Sequence, residues 1–158
     1  MTTFESPKNI ARWFVNRADR SAGDVMTHLK VQKLVYYADA WHLAYFDRPL
    51  IAEDFQAWAH GPVVRALYNK YKGQSWDPLP VEKGPMPEAQ DLLEAIYQSY
   101  GEFTAKKLEA MTHHELPWQE ARGNLPPEAK SDAVISKLTM RNFYAQRIEK
   151  EAITQLPD

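Results

Sequence analysis

A chain of 158 residues with 44% hydrophobic and 25% charged side chains is of ordinary globular make-up, long enough for one domain to bury roughly 70% of the surface its unfolded form exposes. Its 19 Lys and Arg against 21 Asp and Glu, a formal charge of −2, supply no long-range attraction to a phosphate backbone, so nucleic-acid binding by this chain alone is not expected. The absence of cysteine removes disulfides, thiolate metal sites and thiol nucleophiles.

The N-terminus has no basic region followed by a long apolar run, and no stretch approaches about 18 uninterrupted apolar residues. We therefore expect a cytoplasmic protein without a membrane span. Ser6-Pro7 places a hydroxyl at a helix N-cap and a proline at the first helical position, and Ile10, Trp13, Phe14 and Ala18 follow at helical spacing, predicting a first helix over about 7 to 20. Thr27 caps a longer helix to about Phe46, whose Val31, Leu34, Val35, Ala38, Trp41 and Tyr45 share one face. Lys30 and Lys33 project to its back, while Tyr36, Tyr37, Ala40, Leu43 and Ala44 widen the apolar surface until the helix is nearly surrounded.

Asp47-Arg48-Pro49 breaks that pattern, and the period-two character around Phe55, Ala57 and Ala59 predicts a short two-stranded hairpin. Pro62 is expected to open the third helix and Gly73 to end it. Four prolines and Gly84 between Gly73 and Pro87 predict a loop, with one edge strand near Leu79 to Val81. Pro87 begins a helix that Gly101 stops; Thr104 caps the next; Pro117 starts a short one. The final helix, about Ser136 to Ala152, carries one stripe of Leu138, Ala145, Ile148 and Ala152 and a second of Met140, Phe143 and Tyr144. A helix apolar on two sides is either deeply buried or meets a partner. The fold class expected is mainly α: a compact single-domain helical fold with a small β-hairpin between the second and third helices.

Candidate chemistry centres on the five histidines, since the chain has no Gly-rich phosphate loop and no G-x-S-x-G elbow. His42 projects to the middle of the apolar face, and we read it as a core histidine bonded to the hairpin, a base or ligand being the alternative. His60 stands at the strand-to-helix corner, a hinge position rather than a catalytic one. His113, His114 and Glu115 resemble a metal cluster, but neighbours on a helix point about 100° apart and Pro117 blocks the spacing of a zinc helix; no metal and no cofactor is expected. Glu53 with Asp54, and Asp39 with Asp47, read as solvated faces and turn residues, and Lys106, Lys107 and Lys130 as isolated surface charges.

The stretch from His28 to Gln74 resembles the Panacea domain, a family of phage-associated and SocA-like proteins. The corresponding residues are Val31, Gln32, Lys33, Leu34, Tyr36, Tyr37 and Trp41, then Pro49, Leu50 and Glu53, then Ala57, Trp58, Gly61, Pro62, Val63 and Tyr68. A second block is similar at Leu108, Thr112, His113, Pro117, Trp118, Ala121 and Arg122. Gln56 stands where the family usually has an acid, and Val31 where it usually has Leu.

The resemblance implies an antitoxin of a toxin–antitoxin pair that neutralises its cognate toxin by direct protein–protein binding, not an enzyme. Its alternatives are an adaptor that delivers the toxin to a ClpXP-type protease, and a histidine-dependent enzyme using His42 or His60. Some family members carry an added DNA-binding module; from the length and charge of this chain we expect none in it. For the contact surface we expect the loop Gln74 to Pro87 with Trp76, and the final helix through Met140, Arg141, Phe143 and Tyr144, since interface energy concentrates in Trp, Tyr and Arg. A second copy of the chain is a further possible partner.

Overall fold

The computed structural model describes residues 3–74 and 77–155, with side chains described through residue 148; Trp76 lies outside the described residues. The elements are helices α1 (Pro7–Arg17) and α2 (His28–Phe46), strands β1 (Gln56–Trp58) and β2 (Gly61–Val63), and helices α3 (Arg65–Tyr71), α4 (Gln90–Tyr100), α5 (Ala105–His113), α6 (Leu116–Arg122) and α7 (Lys137–Gln155). The fold is mainly α with a two-stranded antiparallel hairpin, as the periodicity predicts.

Helix α2 is the axis. The Thr27 hydroxyl accepts from the Lys30 amide, and Asp47 closes the helix in the left-handed conformation (φ 58°) with its amide on the Leu43 carbonyl, a cap geometry that Asn and Asp tolerate better than other side chains. Every residue from Lys30 to Ala40 is buried, because α7, α1, α4, α5 and β2 all pack around it. Two expectations are corrected by that encirclement. Lys33 does not lie on a solvated back but is 1% exposed. Asp39 is not a surface acid either: it is fully buried, accepts from the Leu50 amide (2.7 Å) and the Ile51 amide (3.3 Å), and pairs with Lys137 Nζ at 2.5 Å. Those bonds hold Leu50 and Ile51, and the segment around them, against the axis.

Helix α1 buries Ile10, Ala11, Phe14 and Val15 and stops at Arg17, earlier than its spacing suggests, because the Asp19 side chain caps a separate turn over Arg20–Ala22. Helix α4 starts at Gln90 rather than Pro87, and the Glu5 carboxylate accepts the Glu88 amide (2.6 Å) and the Ala89 amide (3.0 Å) ahead of it.

Pro62 does not open α3. It sits in β2 opposite Ala57, and α3 begins at Arg65. The Ala57 amide points away from β2 to the Ala133 carbonyl (2.8 Å), so Ala57 and Pro62 form a pair that exchanges no hydrogen bonds, where a missing N–H costs nothing. The Ile135 amide donates to Phe55 O (2.8 Å) and Val134 bridges to Gln56, so residues 133–135 cover the outer edge of β1.

No strand forms at Leu79–Val81. The described part of that segment is instead strapped to α1 and to the connection before α2: the Leu79 amide bonds Met26 O (2.7 Å), Asn16 and Glu82 exchange two bonds of 2.8 Å, and Arg12 donates to Pro85 O at 2.7 Å. Strand pairing needs a neighbouring strand edge; here the Met26 carbonyl and the side chains of Asn16 and Arg12 satisfy the backbone first.

Candidate functional site

Side chains from α2 and α6 converge on the hairpin from two sides. From α2, Gln32 Oε1 accepts the Val64 amide (3.1 Å) while its Nε2 donates to Val64 O (3.4 Å) and meets His28 Nε2 (3.1 Å). One side-chain amide thereby satisfies both backbone groups of the residue joining β2 to α3. Burial, and secondarily the charge of Lys33, push the His28 pKa down to about 4; the neutral ring is free to accept from Gln32.

From α6, Trp118 Nε1 donates to Trp58 O (2.8 Å) and the buried Arg122 donates to Ala57 O (2.8 Å), Pro126 O (2.8 Å) and Ala129 O (2.6 Å). Pro117 lies in the first turn of α6, as expected. His113 stacks on Trp118 (centroids 4.0 Å, 18° between planes) and burial lowers its pKa. Glu115 points elsewhere, so the three residues resembling a metal cluster diverge. Leu34, Tyr36 and Tyr37 fill the core, and Tyr37 and Tyr144 donate to the buried Glu115 carboxylate, which burial pushes to a raised pKa.

The turn residue Gly61 adopts φ +106°, and a Cβ there would stand 2.5 Å from Lys33 Cε, so both backbone strain and the lysine beneath require glycine. His60, beside it, is an exposed turn residue within the hairpin; its Nδ1 lies 2.6 Å from Glu109 Oε1. His42 bonds the Arg48 carbonyl (2.7 Å) rather than the hairpin.

What this clamp presents outward is an open groove of about 650 Å³ lined by Trp58, Ala59, His60, Arg65 and Tyr68, with residues 128 and 130–132 opposite. Trp58 and Tyr68 meet edge-on at 4.8 Å, and the Arg65 guanidinium lies 5.4 Å over the Trp58 ring. A second cleft of about 320 Å³ runs between α2, α4 and α7, lined by Trp41, Tyr45, Leu92, Ile96, Tyr100 and Arg147 among others. Trp41 Nε1 donates to the Tyr100 hydroxyl at 2.8 Å.

The surface expected on the final helix is corrected. Met140 and Tyr144 are fully buried against α2, because that stripe is the one α7 turns inward. Arg141 and Phe143 stay half-buried, Arg141 paired with Asp47 (2.6 Å) and Phe143 under the Arg147 guanidinium (4.8 Å). The sequence reading passed over Arg65 and Glu109; the helical step Arg65 to Tyr68 across from Trp58 was the available signal.

Fold and site together define a helical module whose buried side chains clamp a hairpin beside an open groove that carries Trp58, Tyr68 and Arg65. The chain belongs to the SocA-like antitoxin, Panacea domain family: the family model matches residues 31–119, more than half of the chain. No curated protein and no solved structure matches it at a significant level. Among the described residues no helix is long and apolar enough to cross a membrane.

Proposed function

We propose that this protein is a cytoplasmic antitoxin that neutralises its cognate toxin by direct binding, with the hairpin groove as the contact surface. Family membership supplies the class of partner. The observation that carries the choice of surface is the position of Trp58 and Tyr68: the signature aromatics Tyr36, Tyr37 and Trp118 are buried in the core, whereas these two line an open groove with the Arg65 guanidinium over the Trp58 ring. Trp, Tyr and Arg in a depression flanked by polar residues match the composition of interface hot spots.

The clamp beneath the groove supports the same reading. Rigid presentation reduces the ordering cost of association, and Gln32, Trp118 and Arg122 fix the backbone of Ala57, Trp58 and Val64. Contact rather than catalysis is the proposed mode of action.

Co-expression with the product of the adjacent reading frame tests the proposal. The wild-type chain should suppress toxicity, and Trp58→Ala combined with Arg65→Ala should abolish suppression with an unchanged helical circular dichroism spectrum. Neither side chain is in the core, and the Trp118 bond runs to the Trp58 carbonyl, which alanine keeps. Full suppression by the double variant refutes the groove. Sequestration leaves the toxin's half-life unchanged or longer; a shortened half-life replaces it with delivery to a protease.

A further inference from the structure

Beneath the hairpin turn lies a smaller cavity of about 160 Å³, lined by Leu29, Lys33, His60, Ala105, Lys106 and Glu109. Its floor holds an unusual group. Lys33 is 1% exposed, and its Nζ has no hydrogen-bond partner among the described residues. A buried ammonium without a partner is costly. Glu109, the carboxylate in the cavity wall, is engaged by His60 at 2.6 Å and lies within neither hydrogen-bond nor ion-pair distance of Lys33.

The balance of charge around the cavity is positive, with Lys33 and Lys106 against Glu109. The wall also includes the first two residues of α5, the nine-residue helix whose Thr104 cap leaves its N-terminal end on this side, and that end favours negative charge. His60 is shared: it lines both this cavity and the groove proposed above for the toxin. With 71% of its side chain exposed and one bond holding it, it is the movable part of the wall.

We propose that this cavity is a carboxylate site, filled when the toxin docks in the groove by an acidic side chain that passes His60 and pairs with Lys33. The assignment rests on the antitoxin reading for the source of the carboxylate, but not for the chemistry of the site. The volume accommodates one such side chain. The ion pair it forms compensates for hydration that Lys33 lost on folding, and the attraction acts in a medium of low dielectric. Burial lowers the Lys33 pKa to about 8, Glu109 opposing that shift; His28, His113, His60 and Lys106 are the other titratable groups around it, and a bound carboxylate reverses part of the shift.

The probe is sodium acetate, titrated at constant ionic strength against chloride into the full chain labelled with ¹⁵N-lysine. Acetate, not chloride, should shift the Lys33 Nζ resonance saturably, raise its midpoint by about one pH unit, and raise the melting temperature of the wild type but not of Lys33→Met. An equal response to chloride, no saturable shift, or equal stabilisation of the methionine variant overturns the site. The source is read separately, by replacing each exposed Asp or Glu of the toxin with Asn or Gln. One replacement should weaken binding to the wild type about tenfold and leave binding to Lys33→Met unchanged. Acetate binding with no such coupled residue overturns the protein side chain as the source and leaves a free carboxylate. Acetate binding with no toxin bound at all overturns the antitoxin reading and not the site.

Discussion

Replacing Lys33 by methionine should stabilise this protein, and do so in a pH-dependent way. The methionine keeps the stem that packs under Gly61 and removes the ammonium that no acceptor reaches among the described residues. Burial lowers the lysine from 10.5 to about 8 in the folded chain, which at about 1.36 kcal/mol for each pH unit comes to ~3 kcal/mol. Between pH 8 and 10.5 the unfolded chain holds the extra proton, so the wild type gains stability as pH rises through that window. Below about pH 8 both states are protonated and the cost is fully present. The variant should therefore exceed the wild type by ~3 kcal/mol at pH 7, a rise of roughly 6–12 °C in melting temperature for a chain of this size. The difference should shrink toward zero near pH 10.5. Urea unfolding of both proteins at pH 7, 8.5 and 10 measures it, and groups that titrate alike in the two proteins cancel. A difference constant with pH, or a methionine variant less stable than the wild type at pH 7, refutes the reasoning.

Gly61→Ala should cost about 2 kcal/mol by chemical denaturation through its positive φ, and combining it with Lys33→Ala, which removes the stem 2.5 Å from the new Cβ, should recover part of the loss. Asp39→Ala should lose about 3–5 kcal/mol, since it takes the carboxylate from Lys137 and the acceptor from two buried amides; Asp39→Asn, which keeps an acceptor, should lose less. The raised pKa of Glu115 means that its contribution is full below the usual carboxylate range and falls as pH rises through the folded value; a Glu115→Gln variant should show a flatter stability profile there. Tyr144→Ala should cost about 3–5 kcal/mol while Phe143→Ala leaves the thermal midpoint within a few degrees, which separates the buried from the half-exposed member of that pair.

Element type was legible wherever a cap or a period marked it: Ser6-Pro7, Thr27, Thr104 and Pro117 each begin the helix they announce, to within a residue. Pro62 misled because the same fixed φ that suits a helix start also suits a strand position without a ladder bond. Lys33 and Asp39 were misread by projection, which assigns polar residues to a wet face. A helix surrounded on all sides has no such face, and the apolar breadth of Tyr36, Tyr37 and Ala40 already carried that message. The groove was not legible, because Trp58 and Tyr68 look like core aromatics until the chain path sets them at the rim. No periodicity brings Glu109 to His60, 49 residues away.

The cover that residues 133–135 lay along β1 has a consequence for how recognition can change. A free strand edge recruits partners through backbone hydrogen bonds that are blind to sequence. With this edge taken, any partner at the neighbouring groove must be read through side chains. New specificities can then arise by exchanging a few rim residues, while the buried clamp that makes the fold stays as it is.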